Sequence, residues 1–240
     1  DLETYHPTHV LETGYDILFL WVARMILMSG FLLGQVPFKN VYLHGLVRDE
    51  KGRKMSKSLG NTTDPLLFIE KYGADATRLS LLIGAAPGND QNLSEQRIKG
   101  YKNFANKVWN IARFILENTE GAAHGTGQIQ KNDEVLLGEI DTVAHKASEH
   151  IEKFRLDIAG DIVYHYIWHE LADKILEESK PILQGNDADA KLSRQHLLYT
   201  LLTTSLKMLH PFMPFVTEEI WQSLPHKETE LLMVAPWPAR

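Results

Sequence analysis

Cysteine is absent from the 240 residues, and that absence removes two classes of site at once. No disulfide framework can brace the fold, and no thiolate zinc centre can form. The lack fits a reducing compartment, so a cytoplasmic location is expected. An unbroken run of eighteen apolar residues is missing too. The longest candidate, ILFLWVARMILMSGFLL (Ile17–Leu33), is interrupted by Arg24, Ser29 and Gly30. It reads as a buried helix, not a membrane span. Internal repeats and low-complexity tracts are also lacking. The chain opens on Asp1 and passes almost at once into what reads as the middle of a domain, so a segment of a longer protein is expected.

What is present is ordinary globular material. Apolar residues make up 44% and charged residues 23% of the chain, which argues against disorder. The net charge of -6 conceals two basic islands. Arg48–Lys57 holds five basic and two acidic side chains, and Ser94–Phe114 holds five basic against Glu95 alone. Glu117–Ala190 reverses the balance, with sixteen acidic and six basic residues. Any polyanion would therefore have to bind locally.

Element types alternate over the first ninety residues. THVLETG (Thr8–Gly14) reads as a buried strand ending in a glycine turn, and Asp16 as the N-cap of the apolar helix that follows. NVYLHGLVRDEKG (Asn40–Gly52) reads as a strand running into a charged loop. DPLLFIEKYG (Asp64–Gly73) has an Asp cap, Pro at the first helical position and Gly just past the end, and DATRLSLLIGA starts another helix. The order implies α/β architecture with only part of a sheet. The turn-rich APGNDQN (Ala86–Asn92) marks the clearest boundary, dividing residues 1–90 from 91–240. Beyond it, helical patterns occupy about Ser94–Asn118, Asn132–Phe154, Leu156–Leu183, Lys191–Met208 and Phe215–Leu224, joined by GAAHGTGQ and QGNDADA. An all-α antiparallel bundle is predicted there, and a mostly helical chain overall.

Four stretches carry candidate chemistry. In GRKMSKSLGN (Gly52–Asn61), Lys54 and Lys57 can bring two ammonium groups to one anion, with Ser56 and Ser58 adding hydroxyl donors. Phosphoryl and nucleotidyl transfer needs such positioned charge. A KxxK pair alone reads as a solvated turn. In TGYDILFLWVARM (Thr13–Met25), a carboxylate at Asp16 beside a helix start could hold ribose hydroxyls, with Ile17 and Trp21 offering an apolar pocket; both could equally be core. In LHGLV (Leu43–Val47), a glycine at a strand end could let backbone approach an aromatic base, or simply mark a bulge. Helix Glu95–Phe114 presents Arg97, Lys99, Lys102, Lys107 and Arg113, either as a solvated face or as phosphate contacts. His165 and His169 lack the second histidine of a zinc-protease motif, His6 and His9 lack further ligands, and no metal site is expected of this chain. Glu218 and Glu219, read at a helix start, would serve the helix dipole.

The string Lys54-Met55-Ser56-Lys57-Ser58, followed by Leu-Gly-Asn, resembles the nucleotide loop of class I aminoacyl-tRNA synthetases. The string Thr13–Met25 resembles the valine-specific branch of that family, and NFANKVWNIARF, LHPFMPFVTEEIWQSLP and MVAPWP resemble its helical anticodon-binding domain. The resemblance covers essentially the whole chain. It implies a partial class I nucleotide-binding (Rossmann-type) half-domain followed by the helix bundle. It implies ATP, with Mg2+ carried by the nucleotide, and tRNA(Val) and valine as partners, in ATP-dependent attachment of valine to its tRNA. Lys57 would make the main transition-state contact and Lys54 would assist. Gly14, Asp16, His44, Gly45, Val47, Met55, Ser56 and Ser58 would hold ATP or the adenylate, and Ile17 and Trp21 would line the valine pocket. Arg97, Lys102, Lys107 and Arg113 would meet the tRNA. A monomer with no membrane attachment is expected. The family's His-x-Gly-His stretch and editing insertion are absent, so the chain is expected to be inactive without the N-terminal half of the same protein. A truncated paralogue that binds tRNA or a partner without catalysis is the alternative, and an isoleucine-specific enzyme would differ only at residues 14–25.

Overall fold

The structure is a computed structural model that describes residues 1–119 and 129–238. The expected connector GAAHGTGQ lies outside them. The chain forms two compact units: Asp1–Thr63 with Gly84–Ser94, and Asp64–Ile83 with Glu95–Arg240. The turn-rich stretch at 86–92 thus falls within a segment that rejoins the first unit, while residues 64–83 pack with the helices.

In the first unit β1 (Thr8–Gly14) and β2 (Phe38–His44) pair in parallel, with Thr8 opposite Phe38 and Gly14 opposite His44. Parallel neighbours need a crossover. Here it is a 3-10 turn (Tyr15–Ile17), a π-helical stretch (Leu18–Val22) and α1 (Ala23–Leu33). Gly34, at φ 68°, closes α1 in the left-handed conformation and donates to the Gly30 carbonyl. A second short ladder joins β3 (Val47–Arg48) to β4 (Gln91–Asn92), also in parallel.

Two expectations fail in this crossover. Asp16 is not an N-cap; it sits inside the 3-10 turn and makes no capping hydrogen bond. The tighter turn brings its carboxylate round to the loop lysine Lys54 instead. Nor is Ile17–Leu33 buried. Only Val22 and Ser29 are, while Phe19 and Phe31 are each 85% exposed. A two-stranded ladder has too little face to cover so apolar a helix. By length and composition alone, Tyr15–Leu33 would suffice to cross a membrane.

The second unit begins as its local signals dictate. Asp64 accepts from the Leu66 N–H at 2.9 Å, Pro65 opens α2 (Pro65–Tyr72), and Gly73 follows at φ 91°. Next come α3 (Ala74–Leu82), α4 (Glu95–Thr119) and α5 (Lys131–Glu152). Ile98, Phe104, Val108, Ile111 and Ile115 form the buried stripe of α4 at helical spacing. The single helix expected over 156–183 is instead α6 (Leu156–His165), a ten-residue π segment (Tyr166–Ile175) and α7 (Leu176–Gln184). Asp187 accepts from the N–H groups of Asp189 and Ala190, so α8 (Ala188–Leu209) starts inside the expected QGNDADA connector. α9 covers Pro214–Gln222.

A buried polar knot lies within this core. Arg194 pairs with Asp133 at 2.7 Å, and Ser193 donates to the same carboxylate at 2.6 Å. Asp75, also buried, accepts from the Phe215 and Val216 N–H groups at 3.1 and 2.6 Å, and so caps the start of α9. Glu218 lies in the middle of α9, not at its start, and accepts from the Leu232 N–H at 3.0 Å. It anchors the closing segment instead of offsetting the helix dipole, which corrects the reading of the Glu218–Glu219 pair.

Candidate functional site

Chemistry-bearing residues of the first unit gather at the carboxyl ends of β1, β2 and β3. Gly14 ends β1 so tightly that a Cβ there would lie 2.8 Å from Asp16 Oδ1 and 3.5 Å from the His44 ring. Those three residues are thereby neighbours. His44 approaches Glu12 at 3.3 Å through Nε2, and its Nδ1 lies 2.8 Å from the Gly45 carbonyl. Gly45 is required for a reason the sequence did not suggest. A Cβ would sit 1.8 Å from the Asn89 carbonyl oxygen, so the close approach is by the chain's own backbone. Val47 is half-buried in β3.

Past β3 the chain enters the lysine loop. Arg48 bridges to Lys54, and Gly52 (φ 75°) and Gly60 (φ 62°) supply left-handed turns. Lys54 Nζ lies 3.4 Å from Asp16 Oδ2. Met55 is half-buried. Ser56 accepts from the Leu59 N–H at 3.3 Å and lies 3.1 Å from the Ser58 hydroxyl, capping the short turn Lys57–Leu59. Lys57 opens that turn, exposed, and makes no hydrogen bond or ion pair through its side chain among the described residues. One ammonium is therefore tethered and the other is free to meet an anion.

Three residues at this site escaped the sequence reading. Asp90 accepts from the Leu46 N–H at 2.7 Å and also holds Arg48 and the Tyr15 hydroxyl. Asp49 accepts from the N–H groups of Lys51 and Arg53, from the Arg53 guanidinium and, at 3.0 Å, from Asn61. The Asn61 amide, then the Arg53 backbone N–H, hold the Asp49 carboxyl well below the usual carboxylate range. Asn61 in turn accepts from the Ser56 N–H at 2.9 Å. An aspartate a few residues before a glycine turn was the available signal for Asp49.

Ile17 and Trp21 do not share one regular α-helical face. Ile17 ends the 3-10 turn, Trp21 lies in the π stretch, and they are 39% and 50% exposed.

In the second unit the α4 cations differ in what already holds them. Arg97 donates to the Ile83 carbonyl and lies over the Tyr101 ring. Lys102 donates to the Lys71 carbonyl at 3.2 Å. Lys107 pairs with Asp173 at 2.6 Å and lies 4.5 Å from the Trp168 ring centre. Among the described residues Arg113 reaches only Glu117, at 3.9 Å, with both side chains open to solvent. The His165 and His169 rings stack 5.4 Å apart. Among the described residues no three His, Cys, Asp or Glu side chains converge on a metal-sized site.

Comparison with known proteins completes the picture. The family described as tRNA synthetases class I (I, L, M and V) matches residues 1–94, and the anticodon-binding domain of tRNA ligase matches residues 133–240. A valine–tRNA ligase of Clostridium acetobutylicum is 44% identical over 99% of this chain and 27% of its own length. One from Syntrophotalea carbinolica is 48% identical over 93% of this chain and 26% of its own. The chain thus spans about a quarter of the length of the curated relatives it matches. Among solved structures, a Mycobacterium tuberculosis methionyl-tRNA synthetase in complex with methionyl-adenylate superposes with a TM-score of 0.79 at 24% identity, covering 96% of this chain and 47% of that one. The Agrobacterium radiobacter K84 agnB2 LeuRS–tRNA–LeuAMS complex superposes with a TM-score of 0.76 at 22% identity, covering 97% of this chain and 29% of that one. At such identities the structural likeness carries the fold alone.

Proposed function

The chain belongs to the class I tRNA synthetase family, and from that premise we propose that it is a segment of a valine–tRNA ligase. The observation that carries this reading is the loop Lys54–Ser58, set beside Gly14 and Asp16 with Lys57 unpaired. In the reaction proposed, the valine carboxylate attacks the α-phosphate of ATP, the α–β bridging bond breaks, and pyrophosphate leaves. The terminal ribose hydroxyl of tRNA(Val) then takes the acyl group and AMP departs. Lys57 meets the charge that develops on the leaving phosphates. Lys54 assists once it exchanges Asp16 for phosphate, because an exposed pair at 3.4 Å is weakly held. Such catalysis is positioning and charge, with no covalent nucleophile.

The remaining assignments rest on the family resemblance. Gly14 and Asp16 hold the ribose, and His44, Gly45, Val47 and Met55 border the adenine. Ser56 and Ser58 donate to phosphate, and Ile17 and Trp21 face the valine side chain. Mg2+ would come with its substrate ATP, as the family resemblance implies, and no step depends on it. The helical part, residues 91–240 in the proposed division, binds tRNA(Val) through Arg97, Lys102, Lys107 and Arg113, of which Lys102 and Arg113 are exposed. The whole protein acts as a cytoplasmic monomer. Its N-terminal half covers the bare face of residues 17–33 and completes the site, so these 240 residues alone do not activate valine.

Valine-dependent ATP–pyrophosphate exchange by the full-length protein tests this. Lys57→Ala should lower it by about 10²- to 10³-fold, the scale of one preorganised transition-state contact, while tRNA(Val) affinity stays within about twofold. Unchanged exchange would remove Lys57 from its role. Exchange by the isolated 240 residues would show that the other half is dispensable. A wild-type protein that binds tRNA(Val) but never exchanges would favour a non-catalytic binding module.

A further inference from the structure

A loop that delivers charge needs its backbone set as well as its lysines present. The chain leaves β3 at Arg48 and returns at Asn61, and across that gap the side chains of Asp49 and Asn61 meet at 3.0 Å. Asn61 uses both ends of its amide. The carbonyl accepts from the Ser56 N–H at 2.9 Å, and the amino group donates to the Lys54 carbonyl at 3.2 Å as well as to Asp49. The backbone groups on either side of Met55 are thus held by one side chain. Asp49 holds the near end, accepting from the N–H groups of Lys51 and Arg53 at 3.0 and 2.8 Å. A carboxylate suits Asp49, which only accepts. An amide suits Asn61, which must do both.

Building on the ligase reading above, we propose that Asp49 and Asn61 are positioning residues of the lysine loop, a clasp whose closure fixes where Lys54 and Lys57 deliver their charge. They touch no substrate. With the clasp open, the lysines remain but their ammonium groups wander, and misplacement by about 1 Å is enough to cost about a hundredfold in rate.

The test uses the full-length protein and a swap. Asn61→Asp sets a second carboxylate against Asp49 and removes the donor to Lys54. Adding Asp49→Asn restores a donor opposite an acceptor, while the carboxylate introduced at position 61 can still accept from Ser56. Asn61→Asp should lower kcat of valine-dependent pyrophosphate exchange by about 10- to 100-fold, with the valine KM within about threefold. The double variant should recover about tenfold of that loss. A kcat within twofold of wild type in Asn61→Asp overturns the clasp. So does a loss that the double variant fails to recover, above all where the melting temperature falls in parallel, because that pattern belongs to a merely structural pair. A wild-type protein without exchange activity sinks the ligase reading, and the clasp with it, whereas an active wild type with an indifferent Asn61→Asp sinks the clasp alone.

Discussion

α8 buries eleven of its side chains in the helical unit, whereas the more apolar run Ile17–Leu33 buries only Val22 and Ser29 in the first. Each carries one arginine. Arg194 is enclosed and paired with Asp133, while Arg24 points to solvent. Apolar content states what a helix must be covered by; it does not say which part of the protein supplies the cover. The two units are accordingly held by different forces. A continuous core from α3 to the closing segment fastens the second. In the first, carboxylates and one amide gather backbone N–H groups: Asp90 for Leu46, Asp49 for the loop turn, Asn61 for Ser56.

The strongest blow to the helical unit is to half of its buried ion pair. Arg194→Met leaves Asp133 charged and without its partner, and should cost about 3–5 kcal/mol, read by chemical denaturation of the isolated helical signal. Arg194→Met with Asp133→Leu should recover most of that loss, since a buried pair contributes little beyond a well-packed apolar substitute. A double variant as weak as the single would mean that the pair itself holds the core. The first unit has no comparable buried charge to strike among its described residues, and its weak point is backbone against backbone. Gly45→Ala drives a methyl into the Asn89 carbonyl, and should cost about 1–3 kcal/mol, with hydrogen exchange accelerated in residues 43–48 and 88–92 alone. At the matching glycine of the second unit, Gly160, an added Cβ would lie 3.2 Å from the Leu82 side chain, which can rotate away. Gly160→Ala should therefore lose far less. Equal losses would erase that distinction between the units.

Local signals were legible wherever a residue acts on its own neighbours. The Asp64–Pro65–Gly73 punctuation sets α2, and the apolar stripe from Ile98 to Ile115 sets α4. The Lys54–Ser58 loop and the β1–crossover–β2 order were legible for the same reason. What escaped depends on partners distant in sequence. Asp75 caps a helix 140 residues away, and Asp49 finds Asn61 across the loop. Asp16 has the residue type of a cap, yet the crossover tightens into 3-10 and π turns and hands its carboxylate to Lys54. Ile17–Leu33 shows the limit most clearly, because hydropathy alone cannot tell a helix covered by its own chain segment from one that is not.

Acid should separate the units by the smallest of these effects. His210 Nδ1 lies 2.8 Å from the Thr217 hydroxyl, and burial pulls its pKa below the ordinary 6.5, although Glu218 and Asp75 nearby pull the other way. Below 6.5 the unfolded chain therefore takes up this proton first, and stability falls as pH drops through the window between 6.5 and the folded value. Asp75 works lower and with the opposite sign: burial raises its carboxyl above 3.8, so between 3.8 and that raised value the folded form gains as acid is added. In the first unit Asp49 is depressed, so its contribution is intact at neutral pH and fades only as pH falls below 3.8. Between pH 7.5 and 5.5, hydrogen-exchange protection factors, which remove the intrinsic pH dependence of exchange, should fall across residues 206–220 while that at Ser56 holds steady. His210→Gln should flatten the first response by removing the titrating group, and a slope unchanged in that variant would remove His210 from this role.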